Sequence, residues 1–153
     1  MILLIGTVFG MGGVSLDKEE HQTIQVNNYV CVNIYKEGTK HTLLKNDSDK
    51  VANALGGILK AAREMPAFGV ALHDETLEAM QSGLWIEFEF GGINIHKGMC
   101  FEKLLLKLEK NIYGFNLMRF YDGKYDGRCF YFDIEDCKIM NCLYELIISI
   151  LGN

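Results

Sequence analysis

The residues of this chain best equipped for chemistry are its histidines, cysteines and paired acids. His96 and Cys100 stand four apart, as two metal ligands can. A zinc site needs three or four ligands, however. Cys129, Cys137 and Cys142 lie at no short spacing that supplies the rest, and on a helix Cys137 and Cys142 point away from each other. No metal site is expected, and the thiols read as small apolar groups in a core. A cysteine paired with His41, His73 or His96 would make a nucleophile and its base, but no local signature surrounds any cysteine. Glu87 and Glu89 fall on one strand face, where an acid and a base could work together. Lys103 and Lys107 on a nearby strand, with Arg119 beyond, are placed to neutralise them across the sheet at roughly 0.2–1 kcal/mol per pair. A solvated, ion-paired face is the expectation, and no residue is assigned a catalytic role.

Two loop motifs partly match ion- and phosphate-binding patterns. Asp122-Gly-Lys-Tyr-Asp126-Gly127 begins like a calcium loop, but Lys124 holds a position that needs an oxygen ligand and Asp133 stands where the closing Glu belongs. Asp-Gly steps between aromatic strands are hairpin turns. Gly10-Met-Gly12-Gly13 follows an apolar run, as phosphate loops do, yet it lacks the G-x-G-x-x-G spacing and the Lys-Ser/Thr ending, and the acidic 17–22 stretch would repel phosphate. No cofactor is expected.

Trp85 points to binding instead. Leu84, Ile86, Phe88 and Phe90 alternate with Trp85, Glu87 and Glu89, the pattern of a sheet with one buried and one wet face. On that pattern Trp85 faces out. Trp85, Glu87, Glu89, Lys103, Lys107, Arg119 and Tyr121 then form an aromatic and charged surface of the composition found at binding hot spots. Phe115 and Leu117 are expected on the same face as Trp85 and Tyr121. The function expected is a non-catalytic module that binds a protein partner or a second copy of itself. The alternative is a small-molecule binder or minor enzyme with a pocket between sheet and helices, lined by Phe120, Tyr125 and Tyr131 with a nearby His.

The elements that position these residues follow from periodicity. Apolar even positions in 23–35 predict one long strand or two broken at Asn27-Asn28, and Glu37-Gly38-Thr39 turns into a second strand over 41–44. Asn46-Asp47-Ser48-Asp49 offers N-caps for an amphipathic helix through Met65, ended by Pro66. Gly56-Gly57 inside it suggests a close backbone approach or a break. A shorter helix runs from Asp74 to Gly83. Strands follow over 84–90, 93–96, 101–108, 113–121 and 128–134, with turns at Gly91-Gly92, Lys97-Gly98, 109–111 and 122–127. A helix over about 136–151 closes the chain. The fold class is α+β, an antiparallel meander over 84–134 with helices on one face, including the C-terminal one. The order is similar to helix-grip and profilin-like arrangements, a likeness of architecture that fixes no function.

Composition bounds the rest. The 153 residues, 49% of them hydrophobic and 23% charged, suit a single domain over 1–153 with its own core. A net charge of −5, with 15 basic and 20 acidic side chains, argues against a nucleic-acid partner. Five cysteines without a framework fit a reducing compartment, so a cytoplasmic location is expected. Asn46-Asp47-Ser48 is a glycosylation sequon, of weight only in a secreted protein. Residues 2–16 carry no charged side chain, which leaves export or membrane attachment as the alternative. The run is shorter than the ~20 residues of a membrane span, and no Lys or Arg precedes it as in a signal peptide. A membrane role is therefore not favoured, and a buried strand over 2–9 is.

Overall fold

The computed structural model describes residues 23–66 and 69–152, so the expectations for residues 2–16 lie outside the described residues. The chain is α+β. In chain order the strands are β1 (Tyr29–Lys36), β2 (Thr39–Thr42), β3 (Arg63–Met65), β4 (Val70–Ala71), β5 (Leu84–His96), β6 (Met99–Leu108), β7 (Gly114–Tyr121), β8 (Lys124–Tyr125), β9 (Gly127–Arg128) and β10 (Phe130–Asp133). The helices are α1 (Lys45–Ala61), α2 (His73–Ala79) and α3 (Lys138–Gly152). Every strand pair is antiparallel. The main sheet runs β2-β1-β5-β6-β7-β10-β3, with β8 added beside β7, while β4 and β9 pair separately.

Three X-Gly steps set the tight hairpins. Glu37-Gly38, Lys97-Gly98 and Asp122-Gly123 all have positive φ at both residues, the backbone a type I′ turn requires. The 23–35 run is neither one long strand nor two: residues 23–25 are not strand, and only Tyr29 onward is. Val26–Asn28 is a turn of 3-10 helix that buries Val26 against α1 before β1 begins. The glycine pair in α1 marks neither a break nor a close backbone approach: the helix runs through it, a Cβ on Gly56 would meet only the Val26 and Asn27 side chains at 3.8 Å, and one on Gly57 would meet nothing within 4 Å.

The principal core lies between the sheet and the two long helices. Val51, Ala52, Leu55, Ile58 and Leu59 of α1 and Met140, Leu143 and Ile147 of α3 meet Leu84, Ile86, Phe88 and Phe90 of β5. Those spacings of three and four are the amphipathic stripes read from sequence. Helix α1 ends sooner than its stripe predicts. Met65 lies in β3, paired with Tyr131 of β10, and the residue before Pro66 is biased towards extended backbone. Asp136 Oδ1 accepts the Lys138 N–H at 2.9 Å and caps the start of α3.

Two other expectations are corrected. Gly91 and Gly92 do not end a strand; β5 continues through them to His96. Glu89 pairs with Lys103 and Asn94 with Phe101, so residues 90–93 of β5 stand opposite Glu102 alone. This wide bulge bends the distal hairpin, residues 90–102, into an arm. Phe115 and Leu117 belong to the principal core and not to the Trp85 face. The register decides it: Leu105 pairs with Met118 and Lys103 with Phe120, which puts the even residues of β7 on the Trp85 side.

The arm folds back over the core. Glu64 Oε1 on β3 lies 2.7 Å from His96 Nε2 on β5, with β6, β7 and β10 between those strands. In a flat sheet four inter-strand steps span about 19 Å. The sheet is therefore strongly curled. Phe101 packs on Phe130 at 5.8 Å and His96 on Phe130 at 5.1 Å, both edge to face. Phe101 thus faces the main core, although it shares odd numbering with Lys103 and Leu105, so the alternation changes face across the bend.

Candidate functional site

The face opposite the long helices is not open where the sequence pattern placed its anchor. Trp85 is only 3% exposed. It sits in a second small core with Met80, Leu105 and Tyr125, bordered by Tyr35, Met118 and Phe120. The segment carrying α2 and the β7–β8 turn supply this cover. The His73 Nδ1 at the start of α2 accepts the Tyr125 N–H at 2.9 Å, and Trp85 Nε1 donates to the Ser82 carbonyl at 2.8 Å. Gly83, at φ +81°, reverses the chain between α2 and β5. The expectation that Trp85 is a solvent-facing anchor is corrected: strand alternation reports two faces, and Met80, just before β5, together with Tyr125 of β8 covers this one.

Glu87 lies at the centre of the same face and is also buried. Its Oε1 accepts from Asn33 Nδ2 at 2.9 Å and from Tyr35 Oη at 3.3 Å; its Oε2 accepts from Tyr125 Oη at 2.6 Å. All three donors are uncharged. Asn33 is held in turn by Thr42 Oγ1, which donates to its Oδ1 at 2.7 Å. Burial, then the neighbouring Glu87 charge, pushes the Tyr125 phenol far above the ordinary tyrosine range, and the same two causes raise Tyr35. Both phenols stay protonated and donate. A carboxylate with its oxygens occupied and no access to solvent is poorly placed to take a proton from a substrate. It is well placed to fasten β1, β5 and β8 together.

The remaining predicted site residues divide. Glu89 and Lys103 come together as expected, 3.0 Å apart at the half-buried rim of this face, and the Lys103 ammonium also lies 4.6 Å from the Phe120 ring centre. Burial works to raise the Glu89 carboxyl, but hydrogen bonds from Lys103 and Cys31 outweigh it and hold it below the usual carboxylate range. Lys107 pairs with Glu109 at 2.9 Å and not with Glu87, and its ammonium lies 5.8 Å from the Trp85 ring centre. Arg119 meets no acid: its Nε donates to the Arg128 carbonyl and one terminal nitrogen to the Cys100 carbonyl, both at 2.7 Å. It ties β9 to β6 where the β6–β7 ladder has stopped. Tyr121 is exposed at the end of β7. Phe120 and Tyr125 do meet, edge to face at 5.0 Å with His73 alongside, while Tyr131 lies apart on β10.

Sequence reasoning passed over Asn33, Tyr35 and the arm. The odd positions of β1 were legible as polar, but their partners on β5 were not. The arm and the start of β1 beside it carry a group of exposed apolar side chains. Ile93 is 60% exposed, Ile95 69% and Val30 65%; a Cβ on Gly91 would touch Val30 Cγ1 at 3.2 Å. On the other face of the arm, His96 is buried, and Lys97 Nζ joins Glu64 Oε2 at 2.9 Å. Burial works to raise Glu64, yet the hydrogen bonds from His96 and Lys97 hold its carboxyl below the usual range. Pairing of β1 with β5 ends at Tyr29 and Phe90, so beyond Phe90 no described strand covers that edge of β5.

Comparison with known protein families, curated proteins and solved structures yields no match. Among the described residues no group of three or more His, Cys, Asp or Glu side chains converges as metal ligands would, and no helix is long and apolar enough to cross a membrane.

Proposed function

We propose that this chain is a non-catalytic binding domain that receives a protein on the bent β5–β6 arm. The observation that carries this reading is the edge of β5 beyond Phe90, which no strand among the described residues covers and which is flanked by exposed Val30, Ile93 and Ile95. Exposed apolar side chains beside an unpaired edge favour contact with another polypeptide, which supplies both backbone partners and apolar cover. The Glu64–His96–Lys97 cluster and the packing of His96 on Phe130 hold the arm in place, which lowers the ordering cost of binding.

The small-molecule alternative finds less support. Leu55, Ile86, Leu104 and Met140 are 0% exposed and Phe88 1%, so side chains fill the space between sheet and helices where its pocket would lie. The test uses the full chain and an Ile93→Lys/Ile95→Lys variant, both checked for equal thermal stability. The wild type should associate with itself or retain a protein that the variant loses. A wild type that remains a single chain and retains no partner sinks the proposal.

A further inference from the structure

We propose that residues 92–96 pair antiparallel with the same residues of a second copy of this chain. The inference rests on the binding role given above to the arm and names its partner. Its first support is a contrast between edges. The two outer strands of the sheet bear charges: Lys40 and His41 on β2, Arg63 and Glu64 on β3. Charged side chains on an edge discourage pairing with other chains. The arm edge reads Gly-Gly-Ile-Asn-Ile-His and carries no acid, lysine or arginine. Its two glycines leave the backbone uncovered, and His96 turns inward to Glu64.

The second support is self-complementarity. A two-fold axis requires one surface to match itself. Antiparallel pairing centred on Asn94 sets Asn94 against Asn94 and Ile93 against Ile95 of the other copy. Both isoleucines project from the exposed face, so four of them close into one apolar patch with Val30 at its border. No like charges oppose each other in this register. Lys97, the nearest cation, is engaged with Glu64. The two hairpins then form a continuous four-stranded sheet. An edge of five residues falls short of the ~800 Å² per partner of a standard interface, so the dimer should be a weak, micromolar one.

Sedimentation of the full chain over a wide concentration range tests this. The mass should rise from one chain to two, and Ile93→Lys/Ile95→Lys, which sets like charges opposite each other, should weaken association at least ~10-fold without lowering the melting temperature. Asn94→Cys should cross-link under mild oxidation to a species of two chains, in excess of the wild-type background from the exposed Cys142. A mass of one chain at every concentration overturns the inference, as does a dimer indifferent to the two lysines. A full chain that is monomeric but dimerises through the arm once residues 2–16 are deleted also overturns it, because the chain's own segment is then the occupant. If the monomer holds a different protein through the arm, this inference fails while the binding role stands. A monomer that holds none removes both.

Discussion

Replacing Tyr125 with Phe isolates the strongest link in the buried network. The substitution removes one hydroxyl, and with it the 2.6 Å bond donated to Glu87 Oε2. A hydrogen bond to a charged group contributes about 1.5–3 kcal/mol, and a buried acceptor left unsatisfied lies in the upper part of that range. Glu87 is 3% exposed, so water does not readily replace the lost donor. The expected loss is ~2 kcal/mol, or about 6 °C in melting temperature for a domain of this size. Tyr35→Phe provides the internal comparison: its bond to Oε1 is 3.3 Å long at a half-buried position, so its loss should stay below ~1 kcal/mol. Denaturant unfolding of wild type, Tyr125→Phe, Glu87→Leu and the double variant closes a cycle, and the coupling between the two sites should be ~2 kcal/mol. The network also predicts a response to alkali. Tyr125 and Tyr35 titrate higher in the folded chain than in the unfolded one. Their contribution is present in full below the unfolded value of about 10 and is lost as pH rises past it, so stability should fall above ~pH 10 and fall less in Tyr125→Phe. A loss under ~0.5 kcal/mol, or one equal to that of Tyr35→Phe, would refute the assignment of Tyr125 as the principal partner of Glu87.

Three further perturbations separate structural roles from surface ones. Trp85→Ala should cost ~3–5 kcal/mol in urea unfolding, since it empties the centre of the second core and orphans the Ser82 carbonyl; a change near zero would place the indole on the surface after all. Glu64→Gln should act on the acid limb. The carboxyl is depressed in the folded chain, so its contribution is present above the unfolded value of about 4.3 and disappears as pH falls through the folded one; the variant's unfolding midpoint should vary less with pH below ~5 than that of wild type. Gly114→Ala should destabilise by ~1–3 kcal/mol in thermal melts, because a Cβ there would stand 2.9 Å from Tyr131 Cζ and 3.2 Å from the Phe132 carbonyl oxygen; unchanged melting would mean β7 and β10 pair more loosely than their register implies.

Much of the fold is legible residue by residue. The stripe from Val51 to Leu59 marks a helix because 3.6-residue periodicity is a local property, and the X-Gly steps at 38, 98 and 123 mark hairpins because positive φ is a local demand. Gly91 and Gly92 show where local information ends. Two glycines between extended segments suit a turn or a bulge equally, and only pairing with β6 on both sides of the bend selects the bulge. The candidate surface was less legible. Trp85 alternates with Leu84 and Ile86 as a wet-face residue should, yet it is covered by Met80, which local periodicity does not aim at it, and by Leu105 and Tyr125, which are distant in sequence.

By itself, then, the amino-acid order determined the three helices, most of the strand segments, the tight hairpins and the α+β class, all of which are marked by patterns within a few residues. Tertiary structure alone decided which sheet face is covered, how Glu87 is satisfied and, among the described residues, where a strand edge has no partner. The bonds to Glu87 span 54, 52 and 38 residues, and the Glu64–His96 contact spans 32 across a curled sheet. Such contacts follow from register and curvature, and a one-residue shift in register would send every one of those side chains to the opposite face.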